Sequence, residues 1–204
     1  KPGDSMAGMK GDMSGGAIVA GTIYVAARTG MPIHIIGLVP STDNRPGGNA
    51  YTQGDIITMY NKMTVEVANT DAEGRLILAD ALSYAAKYNP GLIINVATLT
   101  GSAAMTFGHH AIAMMSNAES KYTDLLTESG NETYERVAPL PLFDEYAEGL
   151  KSSSAAAAWS GPSSNPVPTC RTSISPGRFA CRMRSIASSA SSTCEIWGAP
   201  RRWF

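Results

Sequence analysis

Apolar residues follow two patterns along the first 154 residues, and polar, turn-forming segments separate them. Apolar residues at helical spacing predict helices, and we expect them at residues 14–28, 72–88, 121–129 and 142–150. Short runs that are almost wholly apolar and rich in β-branched residues predict strands buried on both faces, at residues 33–39, 92–99 and 111–115. Residues 55–69 predict a hairpin that turns near Asn61 and Lys62.

The order of these elements predicts the fold class. A helix and then the strand at residues 92–99 follow the hairpin, which leaves no room for a second hairpin, so we expect a right-handed parallel crossover. A long polar loop with NRPGGN at its centre occupies residues 40–54. The sequence therefore predicts an α/β fold with a mixed, mostly parallel sheet flanked by helices.

The composition changes after about Ser154. Residues 155–204 are rich in Ala, Ser, Pro, Arg and Cys and show no helical or strand periodicity. Two interpretations fit this segment: a disordered tail, or the product of a shifted reading frame that was never selected to fold. We therefore assign the folded domain to residues 1–154 and expect no packed domain in the remainder.

Charge and cysteine content narrow the function classes. Residues 1–150 carry 9 Lys and Arg against 16 Asp and Glu, whereas residues 151–204 carry 7 against 1. The acidic first part gives no electrostatic reason to expect nucleic-acid binding. All three cysteines lie at or beyond Cys170, which fits a reducing, cytoplasmic compartment. No apolar run approaches the roughly 18 residues that a membrane span needs.

The segment NTDAEGRL, residues 69–76, places Asp71, Glu73 and Arg75 where a helix begins. In the structural interpretation, Asp71 caps the helix and Glu73 favours its positive end. In the functional one, both carboxylates converge on a pair of divalent cations that bind a carbonyl and activate a water. Arg75 would then donate hydrogen bonds to an anion beside the metals. Spacing alone leaves both interpretations open.

Two more charged residues lie near the beginning of the chain. Asp12 lies in a glycine-rich segment where backbone can approach a ligand closely, although a lone Asp there is more often a turn or capping residue. Lys1 could stabilise a developing oxyanion. His34 lies in an apolar run and is expected to be a core histidine, and His109 and His110 follow a glycine and are expected to be loop residues.

NTDAEGRL resembles the signature of the leucyl aminopeptidase (cytosol aminopeptidase) family of dinuclear metallopeptidases. Two further segments resemble this family: residues 1–17, with a lysine followed by DMSGGA, and NVATLTG at residues 95–101. The resemblance runs in order from Lys1 to about Ser154. It implies an aminopeptidase that uses a two-metal activated water to release leucine-like residues from the free amino end of peptides.

The resemblance also implies roles for individual residues. Two divalent cations, zinc, manganese or magnesium, would be bound by three carboxylates, of which Glu73 would bridge both ions: Asp12, Asp71 and Glu73. Lys1 would polarise the scissile carbonyl, and Arg75 would hold a bicarbonate that acts as general base. Leu99 would offer backbone groups to the substrate, and the pocket for its first side chain would be lined by Met9, Thr98 and Gly101.

The chain also departs from the family pattern. Two further family ligands, a lysine and an aspartate upstream of the position of Lys1, are absent from these residues, and so is the family's ending after Ser154. We therefore expect a chain that begins inside a longer protein, a sheet incomplete at both ends, and an inactive truncated product as the alternative to an active enzyme. The family forms hexamers, and some relatives bind DNA, which the acidic charge here disfavours.

Overall fold

The computed structural model describes residues 7–159 and 193–198. Its helices are α1 (Ser14–Arg28), α2 (Glu73–Ala85), α3 (Gly101–Phe107) and α4 (Ser120–Thr133). Its strands are β1 (Ile56–Thr58), β2 (Thr64–Val67), β3 (Leu92–Ala97), β4 (Ile112–Ser116), β5 (Val137–Pro139), β6 (Ala157–Trp159) and β7 (Thr193–Gly198). Within these residues, 3₁₀ segments lie at Ala7–Met13, Thr70–Ala72, Ala86–Tyr88 and Asp144–Leu150.

The chain divides into two compact units. The first unit comprises Lys1–Val39, Pro90–Pro141 and Cys170–Phe204, and the second comprises Pro40–Asn89 and Leu142–Thr169. Each unit has its own sheet. Both units combine helices with strands, so the α/β fold class is confirmed.

The sheet of the first unit has the strand order β3-β7-β4-β5. β7 runs antiparallel to β3 and parallel to β4, and β4 is parallel to β5. Val96 of β3 and Met114 of β4 are the buried centre of this unit, and the partly buried residues packed against them are Ile18, Leu92, Ile112, Ala118, Tyr122, Leu126 and Val137. Apolar residues of α1 and α4 thus cover a mixed sheet.

Helix α1 packs tightly against β3 at Gly15. A Cβ placed on Gly15 would stand 2.6 Å from the carbonyl oxygen of Val96 and 2.7 Å from the α-carbon of Ala97. Real Cβ atoms do not approach other heavy atoms this closely, so glycine is the residue that fits. This packing fixes the beginning of α1, and with it the preceding segment that contains Asp12, next to the end of β3.

The sheet of the second unit has the order β1-β2-β6, in which β1 and β2 form the expected antiparallel hairpin and β6 pairs parallel to β2. Val65 and Val67 alternate along β2 and are almost completely buried. The turn of the hairpin requires a left-handed backbone at Lys62, whose φ is +71°. Loop 40–54 and helix α2 complete this unit.

Residues 33–39 do not form the buried strand that their composition predicts. They form no regular secondary structure and belong to no sheet of the described residues, and His34 and Ile36 are exposed. The apolar residues are explained instead by contact with α1, since Gly37 lies against the side chain of Ile23. The expectation of a core histidine at His34 was therefore wrong.

Two other expectations need correction. β2 and β3 belong to different sheets, so no parallel crossover joins them. The segment Asp144–Leu150 is a 3₁₀ helix. Two stretches of the tail form strands, because β6 finds an open edge at β2 and β7 lies between β3 and β4. Residues 160–192 and 199–204 lie outside the described part of the chain, so the interpretation of the tail as a whole stays a prediction.

Candidate metal centre

The segment that contains the acidic residues forms a short 3₁₀ turn, Thr70–Ala72, followed directly by α2. Asn69 precedes the turn in an extended conformation, and its Oδ1 accepts a hydrogen bond of 2.8 Å from the backbone N–H of Asp71. The backbone N–H of Ala72 donates to the Asn69 carbonyl at 3.2 Å. Asn69 therefore caps this turn, and the capping role that the structural interpretation gave to Asp71 stays a prediction.

Asp71 and Glu73 lie immediately before and at the first residue of α2. Asp71 is exposed, whereas Glu73 is half-buried. Both lie where the unpaired N–H groups of the helix give a positive potential, which stabilises negative charge.

Arg75 lies in the first turn of α2 and is buried, with 7% of its surface exposed. An arginine side chain keeps its charge in proteins. A buried guanidinium so close in sequence to two carboxylates is a fixed positive charge that an anion could approach.

Loop 40–54 contributes a contact that the sequence did not predict. The side-chain amide of Asn44 donates one hydrogen bond to Oε2 of Glu73 at 2.8 Å and one to the carbonyl oxygen of Thr70 at 3.1 Å. Burial, and after it the negative charge of Glu73, raises the pKa of Tyr51 in the same loop. Asn44 and Tyr51 thus both lie near the Glu73 carboxylate.

The donor set in this turn fits a hard divalent cation. Such cations prefer carboxylate oxygens. Asp71 in the 3₁₀ turn and Glu73 at the beginning of α2 supply two carboxylates. The hydrogen bond from Asn44 occupies only Oε2 of Glu73, which leaves Oε1 as a ligand atom. Among residues 7–159, however, no group of three or more His, Cys, Asp or Glu side chains could by itself hold a metal ion.

The other candidate residues lie in the first unit. Met9 is half-buried in the 3₁₀ segment Ala7–Met13, and Asp12 is exposed in the same segment. The hydroxyl of Thr98 donates to the carbonyl oxygen of Asp12 at 2.9 Å and accepts from the N–H of Gly15 at 3.5 Å. The end of β3 and the beginning of α1 are thus joined through one threonine.

Leu99 and Gly101 follow Thr98 where β3 leads into α3. Leu99 is half-buried in the link after β3, and Gly101 is the exposed first residue of α3. A Cβ on Gly101 would meet no atom within 4 Å. The structure therefore brings Asp12 and Thr98 together at one end of β3, with Leu99 and Gly101 following it.

Each remaining candidate also has a clear position. Asp71, Glu73 and Arg75 are brought together at the first turn of α2, in the second unit, whereas Asp12 belongs to the first. Lys1 lies outside the described residues. His109 and His110 are exposed in the turn after α3, as expected. The proposed three-carboxylate site therefore stays a prediction.

Comparison with known proteins identifies relatives of this chain. The model of the "Cytosol aminopeptidase family, catalytic domain" matches residues 1–181. A protein of Chlorobium limicola named "Probable cytosol aminopeptidase" is 52% identical over 153 residues, which cover 74% of this chain and 30% of that protein. The chain thus spans about a third of the length of the curated relatives it matches.

Solved structures give the same result. A cytosol aminopeptidase from Coxiella burnetii superimposes with a TM-score of 0.72 at 35% identity, covering 78% of this chain and 34% of that one. The bottromycin maturation enzyme BotP, solved in complex with Mn, gives a TM-score of 0.72 at 30% identity and covers 78% and 35%. None of the helices within residues 7–159 is long and apolar enough to cross a bilayer.

Proposed function

Because this chain belongs to the cytosol aminopeptidase family, we propose that it carries part of the catalytic site of a metal-dependent aminopeptidase. Its substrates are peptides with a free amino end. The observation that supports this most directly is the turn before α2, where Asp71, Glu73 and the buried Arg75 lie within one helical turn. The cap of the 3₁₀ turn itself is provided by the side chain of Asn69.

In this proposal the carboxylates of Asp71 and Glu73 hold divalent cations, with Asp12 as a third ligand. Bound cations of this kind polarise a carbonyl and lower the pKa of a water that attacks it. Arg75 holds an anion, bicarbonate, by donating hydrogen bonds from its guanidinium. Lys1 donates to the carbonyl oxygen as negative charge develops there.

The first unit would bind the amino-terminal residue of the substrate. Met9 and Thr98 are half-buried, and the space beside Gly101 is open, so these three residues could line a pocket for an apolar side chain. Leu99 follows β3 and offers backbone groups for hydrogen bonds to the peptide. A leucine-like residue is the side chain that we expect this pocket to prefer.

The metal ion, the cellular compartment and the oligomeric state are proposed from the relatives and the family resemblance. BotP was solved with Mn, and oxygen ligands also admit zinc or magnesium, so manganese and zinc are the first ions to test. The family name places its members in the cytosol, and we propose a cytoplasmic location here. We also propose the homohexamer that the family resemblance implies.

Metal binding by this chain is the first test. Isothermal titration with MnCl₂ and ZnCl₂ should give binding that weakens more than about tenfold in Asp71→Asn and Glu73→Gln. Asp124→Asn is a matched control, because Asp124 is an exposed acid on α4, and its affinity should equal that of the unchanged chain. Equal affinities in all four proteins would overturn the proposed site.

Hydrolysis of leucine p-nitroanilide with added Mn²⁺ or Zn²⁺ separates the active enzyme from the inactive fragment. The 204 residues contain three of the five metal ligands that the family resemblance implies, so we expect this chain to bind metal with little or no turnover. Robust turnover by this chain would show instead that its site is complete. Absence of both binding and turnover would contradict the proposal.

A further inference from the structure

The loop at residues 40–54 bears on the same site, and the inference drawn from it rests on the proposed function. We infer that Asn44 is a positioning residue, which holds the Glu73 carboxylate in the orientation that a bound cation requires. The two residues lie in different elements: Asn44 lies in the exposed loop, and Glu73 is the first residue of α2. Their contact joins positions 29 residues apart.

The two hydrogen bonds of Asn44 use both hydrogens of one amide nitrogen. One is donated to Oε2 of Glu73 at 2.8 Å and the other to the carbonyl oxygen of Thr70 at 3.1 Å. The side chain therefore ties the carboxylate to the backbone of the turn that precedes it. Glu73 has three rotatable side-chain bonds, and fixing one of its oxygens restricts the orientation of the other.

The chemical nature of the donor is important. A lysine or arginine at this position would also bind Oε2, but its positive charge would repel a cation on the same carboxylate. The amide of Asn44 is neutral, so it orients Glu73 while leaving the full negative charge available to the metal. Hydrogen bonds from outer residues to metal-ligating carboxylates act in this way.

The same loop also brings the phenol of Tyr51 near the Glu73 carboxylate. The negative charge of Glu73 contributes, after burial, to the raised pKa of Tyr51. Loop 40–54 therefore brings two uncharged polar side chains, those of Asn44 and Tyr51, near Glu73.

Mn²⁺ affinity provides the test, measured by isothermal titration and by the electron paramagnetic resonance signal of free Mn²⁺. Asn44→Ala should weaken Mn²⁺ binding about tenfold. Asn44→Gln keeps the amide and should recover part of this loss. Asn49→Ala is the matched control, since Asn49 is exposed in the same loop, and its affinity should stay within about twofold of the unchanged chain.

The outcomes separate this inference from the proposed function. If the unchanged chain binds Mn²⁺ and Asn44→Ala binds it equally well, Asn44 does not position the ligand and the inference fails alone. If Asn44→Ala only lowers the thermal unfolding midpoint while its Mn²⁺ affinity is unchanged, the contact is a structural tether and the inference also fails. If the unchanged chain binds no Mn²⁺, the proposed metal site fails and the inference fails with it.

Discussion

Gly15 in α1 lies directly against the carbonyl oxygen of Val96 in β3, so closely that a Cβ on Gly15 would stand 2.6 Å from that oxygen. The neighbouring Thr98 links the two elements through hydrogen bonds to Asp12 and Gly15. The position of the Asp12 segment therefore depends on a glycine as much as on any polar contact.

Gly15→Ala should destabilise the protein by about 1–3 kcal/mol, because the added methyl group must displace the backbone of β3. Gly21→Ala is the matched control: Gly21 is in the same helix with nothing within 4 Å of its would-be Cβ, so alanine should be neutral or stabilise by up to about 1 kcal/mol. Urea unfolding measures both changes. Equal stability of the two variants would contradict the close packing of α1 on β3.

Lys62 adopts a left-handed backbone conformation, with φ of +71°, at the hairpin turn between β1 and β2. This conformation costs a residue with a side chain about 1 kcal/mol or more, whereas glycine adopts it freely. Lys62→Gly should therefore raise the free energy of unfolding by about that amount. Lys62→Ala keeps the penalty, so a similar gain from both variants would show that loss of the lysine charge is responsible instead.

Asn69 caps the turn that carries the candidate metal ligands, through its Oδ1 and the N–H of Asp71. Asn69→Ala should lower the free energy of unfolding by about 1 kcal/mol, because the N–H loses its acceptor. Asn69→Ser retains a capping oxygen and should retain most of the stability. Thermal unfolding without metal compares the variants, and an unchanged midpoint in Asn69→Ala would rule out the capping role.

Tyr51 should titrate later than an ordinary tyrosine, because burial and then the Glu73 charge raise its pKa. Since the folded pKa exceeds the unfolded value of about 10, this phenol contributes stability that is fully present below that pH. The contribution is lost as the pH rises through the folded pKa. Absorbance at 295 nm, compared between the unchanged chain and Tyr51→Phe, isolates this titration.

Glu73→Gln provides the control for the same titration. It removes the charge but leaves the burial, so the pKa of Tyr51 should move part of the way back towards its ordinary value. A Tyr51 titration unaffected by this change would mean that the Glu73 carboxylate does not lie near the phenol. It would contradict the placement of Tyr51 beside Glu73.

Local patterns predicted those elements whose formation depends on nearby residues. Helix α1, the hairpin and the helix after NTDAEGRL all follow from apolar spacing and turn residues within a few positions. Residues 33–39 show the limit of this approach. Their composition resembles that of a buried strand, but a strand also needs a partner, and the described residues provide none.

The site shows the same division between local and distant information. Asp71, Glu73 and Arg75 lie at alternate positions of one short segment, so the sequence alone identifies them as a group. Asn44 contacts Glu73 only because the loop folds back onto the turn, 29 residues away in sequence. Nothing in NRPGGN distinguishes this asparagine from an ordinary turn residue, so only the structure could identify it.

The sheet of the first unit has a consequence for the order of folding. β7 occupies the place between β3 and β4, yet it is contributed by residues 193–198, which follow β4 at a long distance along the chain. During synthesis on the ribosome β3 and β4 emerge long before it, so the sheet closes late through distant contacts, which form slowly. Until then the edges of β3 and β4 that β7 will occupy are unpaired and can pair with other nascent chains. This is the interval in which chaperone binding would prevent the most aggregation.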